Sequence, residues 1–196
     1  MKSIVCISKI VFGTGLLLLT MNSCKNEPKH EDPIQSSEKE NETKFEKKDI
    51  ADDSGFLTQA AELNIMEAEI GKLGYQKGIN EDVKKYAKML IEDHSKSLEE
   101  LKTLANENTI TMPTSISEAG SEKYNQLNEL SGDDFDRKFV GMVLEEHEKG
   151  VGIMTAISQN ATNEDFKLWA SRQTSVFVKH YEEAKMLKEK FGEINN

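Results

Sequence analysis

Four long stretches after residue 49 carry apolar residues at the spacing of one helix face, and Pro113 is the one proline in this part of the chain. Apolar residues that recur every three or four positions indicate an amphipathic helix that buries one side. No stretch in this part of the sequence shows the alternation that is typical of a strand. The sequence therefore predicts an all-α fold.

The predicted helices begin and end at residues with known capping preferences. Asn80 is a good N-cap, Gly78 is a helix stop, and the acidic "SGDD" suits a helix N-terminus. The long helices are expected at about residues 54–77, 81–108, 134–159 and 166–191, with a short helix at about 121–130. Short links make each consecutive pair a hairpin, and the long middle link can run the length of a bundle. The sequence therefore predicts a ferritin-like four-helix bundle, two hairpins joined by a long crossover.

The first 23 residues resemble a secretory signal peptide. Lys2 is followed by an apolar run, residues 4–19, that is too short to span a bilayer comfortably. Ser23 before Cys24 resembles the lipobox of bacterial lipoproteins, so Cys24 is expected to carry the lipid and become the mature N-terminus. Met21 stands where that box usually has leucine, which leaves ordinary signal cleavage and a retained N-terminal anchor helix as alternatives.

Residues 24–50 are rich in charge and poor in large apolar side chains, a composition that predicts a disordered tether before a folded domain at 51–193. Loss of Lys2 and Lys9 with the signal peptide changes the formal net charge from -10 to about -12. Such an acidic surface argues against a nucleic-acid partner. We therefore expect a lipoprotein of the cell envelope, anchored in the outer membrane by its lipid.

Each predicted long helix carries polar residues within or beside its apolar face. They are Asn64 and Glu67 on the first helix, His94 on the second, Glu146 with His147 at its flank on the third, and Gln173 and His180 on the fourth. Glu67, His94, Glu146 and His180 lie near mid-helix, so they are expected to converge on one central layer of the bundle. An isolated buried carboxylate is costly, so the glutamates need a cation, a histidine or a proton.

Three explanations compete for this layer. The first is a metal site, because carboxylates and imidazoles from several helices are ligands for iron, manganese or zinc. The second is a hydrogen-bonded network in which each glutamate accepts from a histidine. The third is a helical wheel misjudged by one residue, which would place His147 in the core. The di-iron signature of a glutamate three residues before a histidine is absent, because Ile91, Leu144 and Phe177 occupy those positions.

The strings "GFLTQAAELNIMEAEIGKLG", "VKKYAKMLIEDHSKSLEELKTLA" and "FDRKFVGMVLEEHEKGV" resemble the bacterial family called domain of unknown function 4142, whose members are often described as outer membrane proteins. The resemblance covers about Gly55 to Leu187. It implies a ferritin-like bundle in the cell envelope and no established reaction. The family's motifs fall on Asn64, Glu67, Asp93, His94, Phe135, Asp136, His147 and His180.

The resemblance and the helical wheel disagree on the third long helix. The family favours His147 as the inward residue, whereas the wheel favours Glu146. Ser175 departs from the family, which commonly has a proline five residues before the last histidine, so the last helix is expected to be more continuous here.

The sequence lacks a nucleophile elbow, a phosphate loop and a CxxC pair, which leaves hydrolase, nucleotide-binding and thiol-redox functions without support. The leading expectation is a non-catalytic or weakly metal-binding envelope protein. A link to stress tolerance belongs to that expectation, although no residue points to it. One alternative is a metal-storage or oxidoreductase protein that holds iron or manganese through Glu67, His94, Glu146 or His147, and His180, with Asn64, Asp93 and Gln173 in support. The other alternative is a module that binds a protein partner in the envelope.

Overall fold

The computed structural model describes residues 31–193, and these residues form helices without any strand. The helices are α1 (Pro33–Lys44), α2 (Lys48–Lys77), α3 (Glu81–Glu107), α4 (Glu118–Asn128), α5 (Gly132–Asn160) and α6 (Glu164–Glu193). The all-α prediction is confirmed, and α3, α5 and α6 lie within a few residues of their predicted bounds. The helix α6 runs without a break through Ser175, as the sequence predicts.

The four long helices pack into a bundle of two hairpins. The helix α2 packs along α3, α5 packs along α6, and the hairpins meet where α2 contacts α5 and α3 contacts α6. The short helix α4 lies in the link between the hairpins and contacts α2 and α5. Each long helix therefore touches two others and buries its apolar face between them.

The apolar core is divided into two clusters by a polar layer. One cluster surrounds Trp169 and Leu57, and the other surrounds Phe135 and Leu90. Along every long helix, at least one buried polar residue lies between the segment that enters the first cluster and the segment that enters the second. These residues are Asn64 on α2, His94 and Ser97 on α3, Glu146 and His147 on α5, and His180 on α6.

Two buried carboxylates tie each hairpin to the loop of the other. Asp53 on α2 accepts hydrogen bonds from the backbone N–H groups of Thr162 (2.8 Å) and Asn163 (2.9 Å), in the loop between α5 and α6. Asp136 on α5 accepts from the N–H of Asn80 at 2.8 Å, in the loop between α2 and α3. The contacts are reciprocal, and they fix the two hairpins against each other at both ends of the bundle.

The prediction of a disordered tether across residues 24–50 is wrong for the segment that forms α1. Asp32 caps this helix by accepting from the N–H of Ile34 at 2.9 Å. Asn41 donates to the carbonyl of Thr111 and accepts from its N–H, both at 2.8 Å. Polar side chains rather than apolar ones hold α1, which is why its composition resembles that of a disordered segment.

The predicted signal peptide, residues 1–23, and the predicted lipidation site, Cys24, lie outside the described residues. Within residues 31–193, no helix combines the length and the apolar character that crossing a membrane requires.

Candidate metal centre

Three histidines from three helices bring one ring nitrogen each to a common point in the polar layer. His94 Nε2 lies 3.2 Å from His147 Nε2, His147 Nε2 lies 3.2 Å from His180 Nδ1, and His180 Nδ1 lies 3.3 Å from His94 Nε2. None of the three side chains reaches solvent. The three nitrogens therefore form a nearly equilateral triangle at the centre of the bundle. We call these residues the histidine triad.

The second ring nitrogen of each histidine has an oxygen partner outside the triangle. His147 Nδ1 lies 2.9 Å from the carbonyl oxygen of Val143, one turn earlier on α5. His180 Nε2 lies 2.9 Å from Oδ2 of Asp93 on α3. A carbonyl and a carboxylate only accept hydrogen bonds, so each of these two ring nitrogens carries the hydrogen.

His94 is oriented in the same way by Asn64. Its Nδ1 lies 3.1 Å from Oδ1 of Asn64, and Nδ2 of that amide donates to the carbonyl of Ala60 at 2.7 Å. The bond to Ala60 fixes which end of the amide faces the histidine, so His94 donates from Nδ1. All three imidazoles therefore hold their hydrogens on the outside, and three nitrogen lone pairs face one another inside.

Three converging lone pairs repel one another unless a cation lies between them. Protons do not fill this role at neutral pH. Burial lowers the pKa of His147 to about 3, and burial followed by repulsion from the other two rings holds the pKa of His94 well below its ordinary value. The pKa of His180 is also lowered, chiefly by burial, although the hydrogen bond to Asp93 opposes this. The triad therefore remains neutral and offers three free donor atoms.

The triangle has the dimensions of a three-histidine metal site. Zinc–nitrogen bonds of about 2.0–2.1 Å at tetrahedral angles place their nitrogens about 3.3–3.4 Å apart. Three adjacent octahedral positions at that bond length place them about 2.8–3.0 Å apart. The observed separations of 3.2–3.3 Å lie between these values, so a metal ion fits with little movement of the rings. Three protein ligands leave at least one coordination position open.

Apolar and aromatic groups surround the triad. The ring of Phe177 lies 5.1 Å from the ring of His94 and 5.2 Å from that of His147. A side chain at Gly150 would collide with Phe177, so this glycine allows the close approach. On α3, the hydroxyl of Tyr86 donates to the backbone carbonyl of His180 at 2.9 Å. This environment excludes water and strengthens electrostatic interactions at the centre.

Glu67 lies beside the triad and not in it. Its Oε1 is 3.4 Å from Nδ1 of His147, the outer nitrogen of that ring, and neither carboxyl oxygen has a hydrogen-bond partner. The side chain is fully buried. Burial, and then the nearby charge of Glu146, raise the pKa of Glu67 well above its ordinary value, so its carboxyl group holds a proton when no cation is near.

The prediction that Glu146 points into the central layer is wrong, and His147 occupies that place. Oε1 of Glu146 lies 2.7 Å from Nζ of Lys123 and 3.3 Å from Nζ of Lys149, at the edge of the bundle. Gln173 is buried on α6, about two turns before His180. Among the described residues, the group able to hold a metal ion consists of the three histidines alone.

The proposed network of glutamates accepting hydrogen bonds from histidines is therefore not what the described residues form. The carboxyl oxygens of Glu67 have no such bond, and Glu146 is paired with lysines. The third explanation, a wheel misjudged by one residue, is correct for α5.

Comparisons with known proteins agree with this architecture. A crystal structure of a DUF305 fragment from Deinococcus radiodurans is similar to this chain with a TM-score of 0.60 and 10% sequence identity, covering 72% of this chain and 95% of that one. At that identity the likeness supports the helical fold alone. No curated protein matches the sequence. The model of the family described as domain of unknown function (DUF4142) matches residues 35–187. The match contains the whole histidine triad and begins just inside α1. The chain belongs to the DUF4142 family.

Proposed function

We propose that this protein binds one transition-metal ion through His94, His147 and His180. The observation that carries the proposal is the oxygen partner on each of the three outer ring nitrogens. Because each ring donates outward to its partner, the three inner nitrogens present lone pairs within 3.3 Å of one another. A cation supplies the positive charge that this arrangement lacks. The oxygen partners of the outer nitrogens are those that orient histidine ligands in known metal sites.

The ligand set favours ions that prefer nitrogen. Imidazole suits zinc, copper, iron and nickel, whereas manganese and magnesium prefer carboxylate and water oxygens. The sequence-based expectation of iron or manganese depends on Glu67 and Glu146 as ligands, and neither belongs to the group of converging atoms. We therefore propose a single ion of the imidazole-preferring class. A ferritin-type pair of ions has no support from this geometry.

We assign this site to a ferritin-like bundle tethered at the cell envelope. Two hairpins joined by the long link through α4 support the ferritin-like arrangement, and the signal-like residues 1–23 with Cys24 support the lipid anchor. A single buried ion in an apolar surrounding supports a binding role more than storage, which requires many ions. A catalytic role would require a substrate to reach the open coordination position of the bound ion.

Elemental analysis of the protein purified without chelator tests the proposal. We expect about one equivalent of bound metal, or binding of about one equivalent after addition of Zn²⁺ or Co²⁺, and loss of that binding in His147→Ala. His30 is the one histidine outside the triad, so His30→Ala is the matched control and should bind like the parent. If the parent takes up none of zinc, cobalt, copper, nickel or iron, the proposal is wrong.

A further inference from the structure

Among the groups that hold the triad in place, Asp93 is the one that solvent reaches. Asn64 and Glu67 are completely buried, as are the three histidines. The side chain of Asp93 is 39% exposed, and its Oδ2 lies 2.9 Å from His180 Nε2. A polar path from solvent to the centre therefore runs through Asp93 and His180, at the contact between α3 and α6.

A groove of about 490 Å³ lies along the same contact between α3 and α6. Its wall from α3 includes Asp82, Tyr86 and Met89, and its wall from α6 includes Glu183 and Met186. Tyr86 connects the groove to the triad, because its ring packs edge-on against the ring of His180 at 6.5 Å. Carboxylates and thioethers are both metal ligands, and together they serve a range of hard and soft cations.

The two lysines that line this groove are both paired with one of its acidic residues, because Lys190 lies 2.9 Å and Lys85 lies 3.8 Å from Asp82. Lys179, on α6 beside the groove, lies 3.9 Å from Glu183 and donates to Sδ of Met89 at 3.5 Å. The ion-pair partner of Asp93 is His180. The carboxylate of Asp93 therefore faces an approaching cation without a lysine bound to it.

The groove on the opposite side of the bundle is less suited to a cation. It measures about 340 Å³ and lies between α2, α4 and α5. Its buried carboxylate, Glu146, is bound by the ammonium groups of Lys123 and Lys149, which repel a cation at that point. Oε1 of Glu67 lies 3.4 Å from the outer nitrogen of His147, so this carboxyl group does not approach the inner nitrogens of the triad from that side.

We propose that the metal ion reaches the triad through the groove between α3 and α6, with Asp93 as the first carboxylate that it meets near the centre. His180 is the ligand next to Asp93, so its ring moves to admit the ion. The inference rests on the proposed function and adds to it the route that a fully buried site requires.

A residue that acts on the route can be separated from one that acts on the bound state. A narrower passage raises the same barrier for uptake and for release, so both rate constants fall by the same factor and the Kd is unchanged. A residue that stabilises the bound ion changes the Kd, mostly through the release rate.

The test measures uptake and release of Co²⁺ by stopped-flow absorption, with the full chain and three variants. Met89→Phe narrows the groove between α3 and α6 one turn from Asp93, and Ile153→Phe places the same half-buried ring in the opposite groove. We expect Met89→Phe to slow uptake and release equally, by about tenfold, with an unchanged Kd, and Ile153→Phe to match the parent.

Asp93→Asn is the third variant, because it retains an oxygen that accepts from His180 while removing the exposed negative charge. We expect slower uptake and a weaker dependence of the uptake rate on ionic strength than in the parent. Slowing by Ile153→Phe but not by Met89→Phe would overturn the assigned route, as would unchanged rates in both. Equilibrium binding of Co²⁺ by the parent reports on the proposed function separately, and its absence would overturn both proposals.

Discussion

At the scale of single residues, Asn64 decides which nitrogen of His94 is free. Without the bond to Asn64 Oδ1, His94 can place its hydrogen on Nε2, which points to the centre. We expect Asn64→Leu to weaken metal binding by about 10- to 100-fold, the range for lost outer partners of histidine ligands. Asn64→Asp keeps an acceptor at this position and should retain most of the affinity. Calorimetric titration of both variants checks this, and parent-like affinity in Asn64→Leu would contradict it.

Glu67 gives the metal-free protein a specific dependence of stability on pH. The carboxyl pKa is raised in the folded state, so between the ordinary glutamate pKa and the folded value the native state holds a proton that the unfolded chain has released. Stability from this group is therefore complete in acid and decreases as the pH rises, by up to about 1.4 kcal/mol per pH unit.

We expect Glu67→Gln to remove this decrease. Urea denaturation between pH 5 and 8, with a chelator present, should show the variant gaining stability over the parent as the pH rises. Glu145→Gln is the control, because Glu145 is exposed and pairs with Lys149. A constant difference between the parent and Glu67→Gln across this pH range would show that Glu67 does not hold its proton.

At the scale of helices and loops, the reciprocal carboxylates join the hairpins. Asp136 is fully buried and accepts from the N–H groups of Ile79 and Asn80. Its removal takes a charged acceptor away from both N–H groups of this part-buried loop, so Asp136→Ala should lower the free energy of unfolding by about 2–3 kcal/mol. Asp134→Ala, at an exposed position in the first turn of α5, should cost less than about 1 kcal/mol. Denaturant unfolding measures both, and equal losses would contradict a structural role for the buried carboxylate.

The positions of the long helices depend on short-range sequence patterns, and they were predictable for that reason. Apolar periodicity and caps such as Asn80 determine where helices lie, because they depend on residues within a few turns. The helix α1 was missed because Asn41 holds it to Thr111, a contact between residues far apart in the chain. The role of Asp136 in joining the hairpins was not predictable either, because its partner Asn80 is also far away in the chain.

The apolar pattern of α5 alone does not determine which of Glu146 and His147 points into the bundle. Glu146 and His147 are neighbours near the edge of one apolar face, and adjacent residues differ by only about 100° around the axis. A helix-start motif that occurs twice in the sequence could have distinguished these two residues. Asn-Glu-Asp opens both α3 and α6, and His147 precedes the second copy by as many residues as Asn64 precedes the first. Superposing the hairpins in this way places His147, and not Glu146, at the position of Asn64 in the polar layer.

At the scale of the whole molecule, the metal-free bundle carries a polar layer between two apolar clusters. The sequence predicted that polar residues meet at mid-helix but not which atoms converge. That depends on how three helices from both hairpins pack, with Phe177 beneath two of the rings. An ion bound at this point links α3, α5 and α6, and so joins the two hairpins at the centre as Asp53 and Asp136 join them at the ends.

Metal should therefore stabilise the entire bundle. Free Zn²⁺ at 100 times its Kd should raise the free energy of unfolding by about 2.7 kcal/mol, if the unfolded chain does not bind it. The melting temperature should rise by several degrees, and His147→Ala should show no such rise. Asp136→Ala begins from a lower stability but keeps the triad, so the metal should raise its free energy of unfolding by the same amount as in the parent. An equal rise in His147→Ala would instead show that the ion acts at surface carboxylates and not at the triad.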